Sequence, residues 1–315
     1  MRVAILHDDV LARMEASPDE LGVMEAVEAV ALALAELGHE VVRIAATPRV
    51  ERWAAELRDA GPGLVFNLCE GVAGASAGEV HAAGVVQLLG LPMTGSPADT
   101  LALARRKDRV NALLAAAGVA VPSWTLADRL NGWHRFPAIV KPAAEDASVG
   151  ITQASVTPDD ASLRRAVAES LHRPLLVQEF LPGRELNVGI VGPRVLPVAE
   201  IEFTALPAGG GPLVSYRAKW EQGSDEDLAT TPRCPARLDE ATAAEARSLA
   251  RAAWSIVEGR GYGRVDLRAD AEGRLHVLEV NPNPDLAPSA GLARMAATEG
   301  WSYVELIRHI VEEAA

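Results

Sequence analysis

The sequence predicts an α/β protein of two or three domains, with a parallel sheet first and a mixed α+β part after it. Three observations predict this. At 315 residues the chain exceeds the size at which one hydrophobic core stops growing. Residues 1–97 alternate strand-like and helix-like periods, the βαβ pattern of a parallel sheet with helices on its faces. Near the C-terminus two alternating apolar runs, Gly263–Arg268 and Leu275–Pro282, flank Asp270-Ala271-Glu272-Gly273 and read as an antiparallel hairpin.

In order, strand-like Val3–Leu6 runs into His7-Asp8-Asp9. A helical pattern from about Glu20 to Leu37 then ends in Leu37-Gly38-His39, the form of a C-cap. A strand over Val41–Ala45, a helix over Arg49–Ala60, a strand over Leu64–Leu68 and a helix from about Gly78 to Leu89 complete the first domain. Functional residues of such sheets collect beyond the carboxyl ends of the strands. Here those are His7-Asp8-Asp9, the loop reaching Asp19-Glu20, and Asn67–Gly71.

From Pro97 the character changes. A helix from about Ala98 to Ala117 carries the basic run Arg105-Arg106-Lys107-Asp108-Arg109. Strand Ala138–Val140 delivers Lys141-Pro142 into a small-residue loop, Ala143–Gly150, followed by a strand over Ile151–Val156. A lysine leaving a strand into such a loop suits a phosphate clamp, since ammonium and backbone amides both face an anion. Leu175–Phe180 reads as a buried strand, and Glu185–Val191 with Val195–Ile201 as a hairpin through Gly192-Pro193. Ala208–Gly211 and Glu221–Asp227 read as mobile loops, and Asp239–Glu258 as a long helix.

A hairpin turn centred between Glu272 and Gly273 sets Asp266 across from Glu279 and Arg264 across from Asn281. All four then share one face, with Val265, Leu267, Leu278 and Val280 on the other. Carboxylates facing each other across a ladder destabilise it. A divalent cation on oxygen ligands removes that penalty, and this donor set suits magnesium. The plainer alternative is a solvated face on which Arg264 and Arg268 neutralise the acids, and a bulge would shift the register by one.

Composition limits the partners. Thirty Lys and Arg against 43 Asp and Glu give a net charge of −13, which disfavours nucleic acid or an anionic membrane as partner. Cys69 and Cys234 form neither a CxxC nor a Cys/His cluster, so neither zinc nor a disulfide framework is expected. That fits a reducing cytoplasm. No leader-like segment opens the sequence and no apolar run reaches membrane-spanning length.

Taken in order, three groups of segments resemble the ATP-grasp superfamily, and most closely the D-alanine–D-alanine ligases. They are Gly90–Ser96; Val140-Lys141-Pro142 with Ser148-Val149-Gly150; and Gly263–Asp266 with Leu278–Asn281. The resemblance covers nearly the whole chain and implies an ATP-grasp fold. Its parts would be an N-terminal Rossmann-like domain (1–97), a central subdomain (98–182) and a C-terminal subdomain carrying the metal site (183–315). It also implies a carboxylate–amine ligase working through an acylphosphate, with D-alanyl-D-alanine the default product.

By the same resemblance Lys107 and Lys141 would hold ATP phosphates. Glu179, Phe180 and Leu181 would lie along the adenine, mainly through backbone groups, and Glu185 would take the ribose hydroxyls. Asp266, Glu279 and Asn281 would bind one or two magnesium ions, with manganese able to substitute. Arg264 would stabilise developing charge. Glu20, with Asp19 a close competitor, and Ser148 would hold the ammonium of the first amino acid, and Lys219 would sit in the closing loop. Small amino acids are the implied substrates and a homodimer the implied assembly.

The departures from the family bear on the reaction. Lys219-Trp220 stands where Lys-Tyr is common, Glu145-Asp146-Ala147 replaces a loop richer in glycine and serine, and Asn111 replaces a second basic residue. Asp285 stands where many such ligases have glycine, and would repel an α-carboxylate; alternatively it caps a helix beginning near Pro288. A specialised ligase with other amino-acid or amine substrates, and an inactive nucleotide-binding scaffold, are therefore the alternatives.

Overall fold

The structure, a computed structural model, describes residues 1–10, 18–204 and 211–314, and for 18–21 the backbone alone. Most of the stretch Ala208–Gly211 therefore lies outside the described residues. The elements run β1 (Arg2–Asp8), α1 (Pro18–Glu36), β2 (Glu40–Ala46), α2 (Val50–Ala60), β3 (Leu64–Asn67) and α3 (Gly78–Leu88). Then come α4 (Ala98–Ala104), α5 (Lys107–Ala116), β4 (Trp124–Leu126), β5 (Ala138–Pro142), β6 (Val156–Thr157), α6 (Asp160–Glu169) and β7 (Leu175–Glu179). The chain continues through β8 (Glu185–Val191), β9 (Arg194–Val195), β10 (Ala199–Phe203), α7 (Tyr216–Trp220), α8 (Asp225–Leu228) and β11 (Thr230–Arg233). It ends with α9 (Glu240–Ile256), β12 (Tyr262–Ala269), β13 (Leu275–Asn281), α10 (Gly291–Glu299) and α11 (Tyr303–Glu312).

The expected βαβ region forms a three-stranded sheet in the order β2-β1-β3, with both pairings parallel. Strands in such a sheet are covered on both faces and read as continuous apolar runs, as Val3, Ala4, Ile5 and Leu6 do, all fully buried. Helix α1 presents Val23, Val27, Val30 and Leu34 to that core, a helical stripe of spacing four and three. It ends at Gly38, whose φ of +79° is the left-handed C-cap expected there.

Two further sheets follow, β4-β7-β5-β6 and the larger β11-β10-β8-β12-β13, on which β9 pairs with β8. Packing crosses between these parts of the chain. Val110 and Leu114 of α5 join the core under the largest sheet with Ala246, Ala250 and Trp254 of α9. Leu292, Met295, Leu306 and Ile310 of the last two helices pack into the core of the first sheet, beside α1.

Several elements differ from the sequence expectation, each for a local reason. The helix expected over Ala98–Ala117 breaks at Arg106 (φ −97°, ψ 82°). There the Lys107 N–H donates to the Ala143 carbonyl at 2.9 Å, so a bond to a distant loop replaces the one a continuous helix would make. Thr152–Ser155 closes a short 3₁₀ turn through a capping box, leaving only Val156–Thr157 as strand. Pro197 cannot donate to a ladder, and β9 and β10 stop on either side of it. The Glu221–Asp227 stretch carries the start of α8, capped by Ser224.

The hairpin β12–β13 keeps the expected pairs Arg264↔Asn281, Val265↔Val280 and Asp266↔Glu279. Between Asp266 and Leu267 the register then shifts by one, so Leu267 faces Val277. Leu278 is the extra residue of a bulge and stays half-buried while Val277 is fully buried. The bulge lies on the turn side of the carboxylate pair and leaves their facing arrangement intact.

Candidate active site

The cleft between the two later sheets collects most of the residues singled out in the sequence. Strand alternation aims Lys141 and Gln178 to one side of their sheet, while Ala138, Val140, Leu175 and Val177 pack on the other. Lys141 is 7% exposed, and its ammonium makes no hydrogen bond or ion pair among the described residues. Burial and the neighbouring Lys107 lower its pKa to about 8, against Glu279, Glu185 and Asp266, which favour the charge. An anion placed there would raise the pKa again by favouring the ammonium.

Asp266 is held by three donors. Arg264 grips it in a fork, Nε to Oδ1 at 2.7 Å and Nη2 to Oδ2 at 2.9 Å, and Asn187 of the neighbouring β8 donates to Oδ1 at 2.8 Å. Arg264 is thereby held firmly protonated: burial opposes its charge, but Asp266, Glu279 and Glu185 outweigh it. Across the ladder, burial, Asp146 and Asp266 push the Glu279 carboxyl above its ordinary value, opposed by Lys107 and Lys141. Asn281 Oδ1 accepts the Asn283 N–H at 2.9 Å and keeps a second lone pair.

The face is thus charged but not solvated: the side chains of Arg264 and Asp266 are 21% and 15% exposed. Arg268, two residues further along, is 3% exposed. It pairs with Glu185, gives Nε to the Leu181 carbonyl at 2.8 Å, and lies over the rings of Phe180 and Phe203 at 5.3 and 5.4 Å. Glu185, raised by burial and Asp266 and lowered by Arg268, therefore stands at the cleft edge with a fixed partner.

Glu179 occupies the opposite face of its strand from Lys141, paired with Ala138. The backbone N–H groups of Glu179 and Phe180 are taken by Ser123 and Pro137 carbonyls at 2.8 and 2.9 Å. Gln178, absent from the sequence expectations, is the polar side chain that this strand turns into the cleft. It is 1% exposed and its amide nitrogen lacks a partner among the described residues. Alternation from Lys141's neighbour strand could have found it; the acid next to it drew attention instead.

Lys107, 4% exposed, opens α5 and points at the Ala143–Gly150 loop. Its ammonium donates to the Glu145 carbonyl at 2.6 Å and to Asp146 Oδ1 at 2.7 Å, with Glu279 Oε2 at 3.7 Å. Burial works against this charge, yet Asp146 and Glu279 hold the pKa above its ordinary value. Ser148, at φ +61°, gives its hydroxyl to the Val214 carbonyl at 3.0 Å. Trp220, half-buried, donates Nε1 to the Ala147 carbonyl at 2.9 Å, and its ring lies against Gly22 of α1. That contact joins the loop, α7 and α1. The side chains of Asp19 and Glu20 lie outside the described residues.

Lys219 sits over the Trp220 ring at 5.0 Å and lines the open side of the cleft. The residue is exposed, and its ammonium lies among Arg264, which opposes its charge, and Glu70, Asp285 and Glu279, which favour it. Glu70, beyond β3, also lines this side. Glu70 is exposed, and the neighbouring Asp285 and Asp8 raise its carboxyl above the ordinary value, opposed by Lys219. Asp8 staples that loop to β1 by accepting the Glu70 and Gly71 N–H groups at 2.7 and 3.0 Å. Asp285 accepts the Ala287 N–H at 2.7 Å in a local turn, and the next helix starts only at Gly291. It is therefore not the cap of that helix.

Comparison with known proteins identifies the family. Residues 114–312 match the family model described as D-ala D-ala ligase C-terminus. The D-alanine–D-alanine ligase of Gluconobacter oxydans (strain 621H) is 35% identical over 293 residues, covering 91% of this chain and 92% of that one. Among solved structures, the Bacillus anthracis D-alanine–D-alanine ligase complexed with ATP superposes with a TM-score of 0.79 at 18% identity, covering 100% of this chain and 97% of the other. The VanG D-Ala:D-Ser ligase of Enterococcus faecalis gives a TM-score of 0.75, also at 18% identity, with 100% and 99% coverage. The two structural matches speak for the fold, and the family model and the 35% relative for descent: the chain belongs to the D-alanine–D-alanine ligase family of ATP-grasp proteins.

Proposed function

We propose that this chain is an ATP-dependent ligase joining two D-alanine molecules, the activity in the name of its Gluconobacter relative. The observation that carries the reading is Lys141, buried and with its ammonium unpaired among the described residues, facing the opposed carboxylates Asp266 and Glu279 with Lys107 alongside. A buried ammonium without a partner costs several kcal/mol, on the order of 3 or more. Such a group fits a site completed by a bound polyanion, and nucleotide phosphates have that chemistry.

The metal donors fit as well. Asp266, Glu279 and Asn281 offer only oxygen, the preference of magnesium, and manganese could replace it. Among the described residues no group of three or more His, Cys, Asp or Glu side chains could hold a metal by itself. Magnesium commonly takes one or two carboxylates together with phosphate oxygens and water, so this shortfall is expected of an ion that arrives with nucleotide.

The nucleotide supplies the phosphoryl group that activates a carboxylate toward an amine. In this reading Lys141 and Lys107 hold phosphates, and Gln178, Phe180 and Leu181 border the base. Glu185 reaches the ribose without giving up Arg268. Arg264, fixed by Asp266, stabilises charge developing at the attacked carbonyl. Glu20, Ser148 and Lys219 position the first amino acid. The three-segment division at 97 and 182, a cytoplasmic location and a homodimer belong to the same reading.

A second reading keeps the chemistry and changes the acceptor, because Asp285 puts an acidic side chain at that end of the cleft, close enough to raise Glu70. Magnesium-dependent phosphate release with D-alanine alone, then with a panel of D- and L-amino acids and amines, separates the two once products are identified by mass. D-alanyl-D-alanine supports the first reading. Turnover only with other pairs supports the second, and no turnover with any pair despite ATP binding defeats both in favour of a nucleotide-binding scaffold.

A further inference from the structure

Lys107 is assigned to nucleotide phosphate above, yet its ammonium is already engaged. Two of its three N–H groups go to the Glu145 carbonyl and the Asp146 carboxylate at 2.6 and 2.7 Å, and Glu279 lies at 3.7 Å. A carboxylate at hydrogen-bond distance from a buried ammonium is the same chemistry as a phosphate oxygen there. The same ammonium thus lies between the Asp146 carboxylate and Glu279, a candidate metal ligand.

The loop that carries Asp146 is held in this position from several sides. The Ser76 hydroxyl donates to Glu145 Oε2 at 2.7 Å, and Arg105 donates to both the Ser76 hydroxyl and the Ala144 carbonyl at 2.9 and 2.8 Å. Trp220 holds the Ala147 carbonyl. Two successive non-glycine residues, Ala147 and Ser148, sit at φ +55° and +61°, a sparsely populated region that persists only where the surroundings enforce it. Gly150 allows the loop to close: a Cβ there would fall 2.8 Å from the His172 ring and 3.0 Å from Pro142.

We propose that Asp146 is a built-in competitor for the nucleotide's phosphate at Lys107, so that nucleotide binds fully only when loop 143–150 releases that lysine. The inference rests on the nucleotide-site reading of the cleft. It makes Asp146 a determinant of nucleotide affinity, acting through Lys107. The loop's other acid, Glu145, points its carboxylate to Ser76 and competes for nothing at the lysine.

The test is calorimetric titration of MgATP and MgADP into the full chain and its variants. Asp146→Asn and Asp146→Ser each tighten binding about tenfold or more, the scale of one charged hydrogen bond no longer displaced. Glu145→Gln changes affinity less than about twofold, as expected of a group whose partner lies elsewhere. In the Lys107→Met background the Asp146→Ser gain disappears. Circular dichroism and thermal melts confirm that each variant is folded, and the Asn variant keeps the side-chain shape if the Ser variant does not fold. Unchanged or weaker binding in both Asp146 variants, with Lys141→Met still losing affinity, overturns the competitor role and leaves the nucleotide site standing. Absence of nucleotide binding in every form, the unmodified chain included, overturns the site reading itself.

Discussion

The two walls of the cleft are built by different means. The wall formed by β8, β12 and β13 is a ladder, in which Asn187, Asp266 and Glu279 stand in one row across three adjacent strands. Position and orientation there follow from backbone pairing, and the side chains pair mainly within the sheet, Arg264 with Asp266 and Arg268 with Glu185. The wall formed by the start of α5 and loop 143–150 has no ladder. Its position comes from side chains reaching from three elsewhere-anchored places, Ser76, Arg105 and Trp220. A ladder fixes charged groups against the field of a reaction, whereas a loop held by single hydrogen bonds can open at modest cost. The cleft thus pairs a fixed electrostatic wall with a releasable one.

The largest effect expected on the fixed wall is from Arg264→Ala. Losing a positioned cation at developing charge lowers kcat by roughly a hundredfold to a thousandfold, measured as phosphate release at saturating substrate. A loss under tenfold would mean that the ladder wall is scaffolding and that the comparison assigns the chemistry to the wrong side.

Next comes Glu185→Gln, which leaves Arg268 buried without its carboxylate. Breaking one half of a buried pair destabilises by about 3 kcal/mol or more, read from urea unfolding. If the midpoint does not move, the ladder wall does not depend on its internal pairing.

Between the walls, Lys141 gives a pH signature. Its folded pKa is lowered from 10.5 to about 8, so above about pH 8 the unfolded chain binds more protons at this residue than the folded one. Stability contributed by the residue therefore rises with pH between about 8 and 10.5 and is lowest below 8. The full span is on the order of 3 kcal/mol. Unfolding of the ligand-free protein at a series of pH values, compared with Lys141→Met, should show this rise only in the unmodified chain. The same rise in both would place the titrating group elsewhere.

The smallest effect belongs to the loop wall. Trp220→Phe keeps an aromatic ring, shortens its reach toward Gly22 and removes one hydrogen bond to Ala147, the last worth about 1 kcal/mol. Its sensitive readout is faster limited proteolysis within residues 143–150. Equal cleavage rates would show that the loop does not hang on Trp220.

Much of the ladder wall was legible in the sequence. Apolar alternation in Val265, Leu267 and Val280 and an Asp/Gly turn set the strands' faces, although Val277 takes the place expected of Leu278, and the pairs nearest the site, Arg264↔Asn281 and Asp266↔Glu279, fell where counting from that turn puts them. The bulge at Leu278 was not legible, because inserting one residue leaves both flanking runs apolar in the right places. The loop wall was hardly legible at all. Nothing local says that Lys107 starts a helix rather than continuing one, since the break depends on a bond to Ala143, thirty-six residues away. Gln178 was masked by its acidic neighbour until the pairing with β5 showed which of the two faces Lys141.

The sequence alone determined the parallel first sheet, the hairpin with its opposed carboxylates and the family, because strand and helix periods are short-range and are written directly in neighbouring residues. Tertiary structure alone decided which charges from distant segments meet. Asp146 on Lys107, Arg268 against Glu185 and Phe180, and Trp220 between the loop and α1 join segments tens of residues apart or more. Such contacts follow from how elements pack, and packing is a property of the whole chain that no local period records.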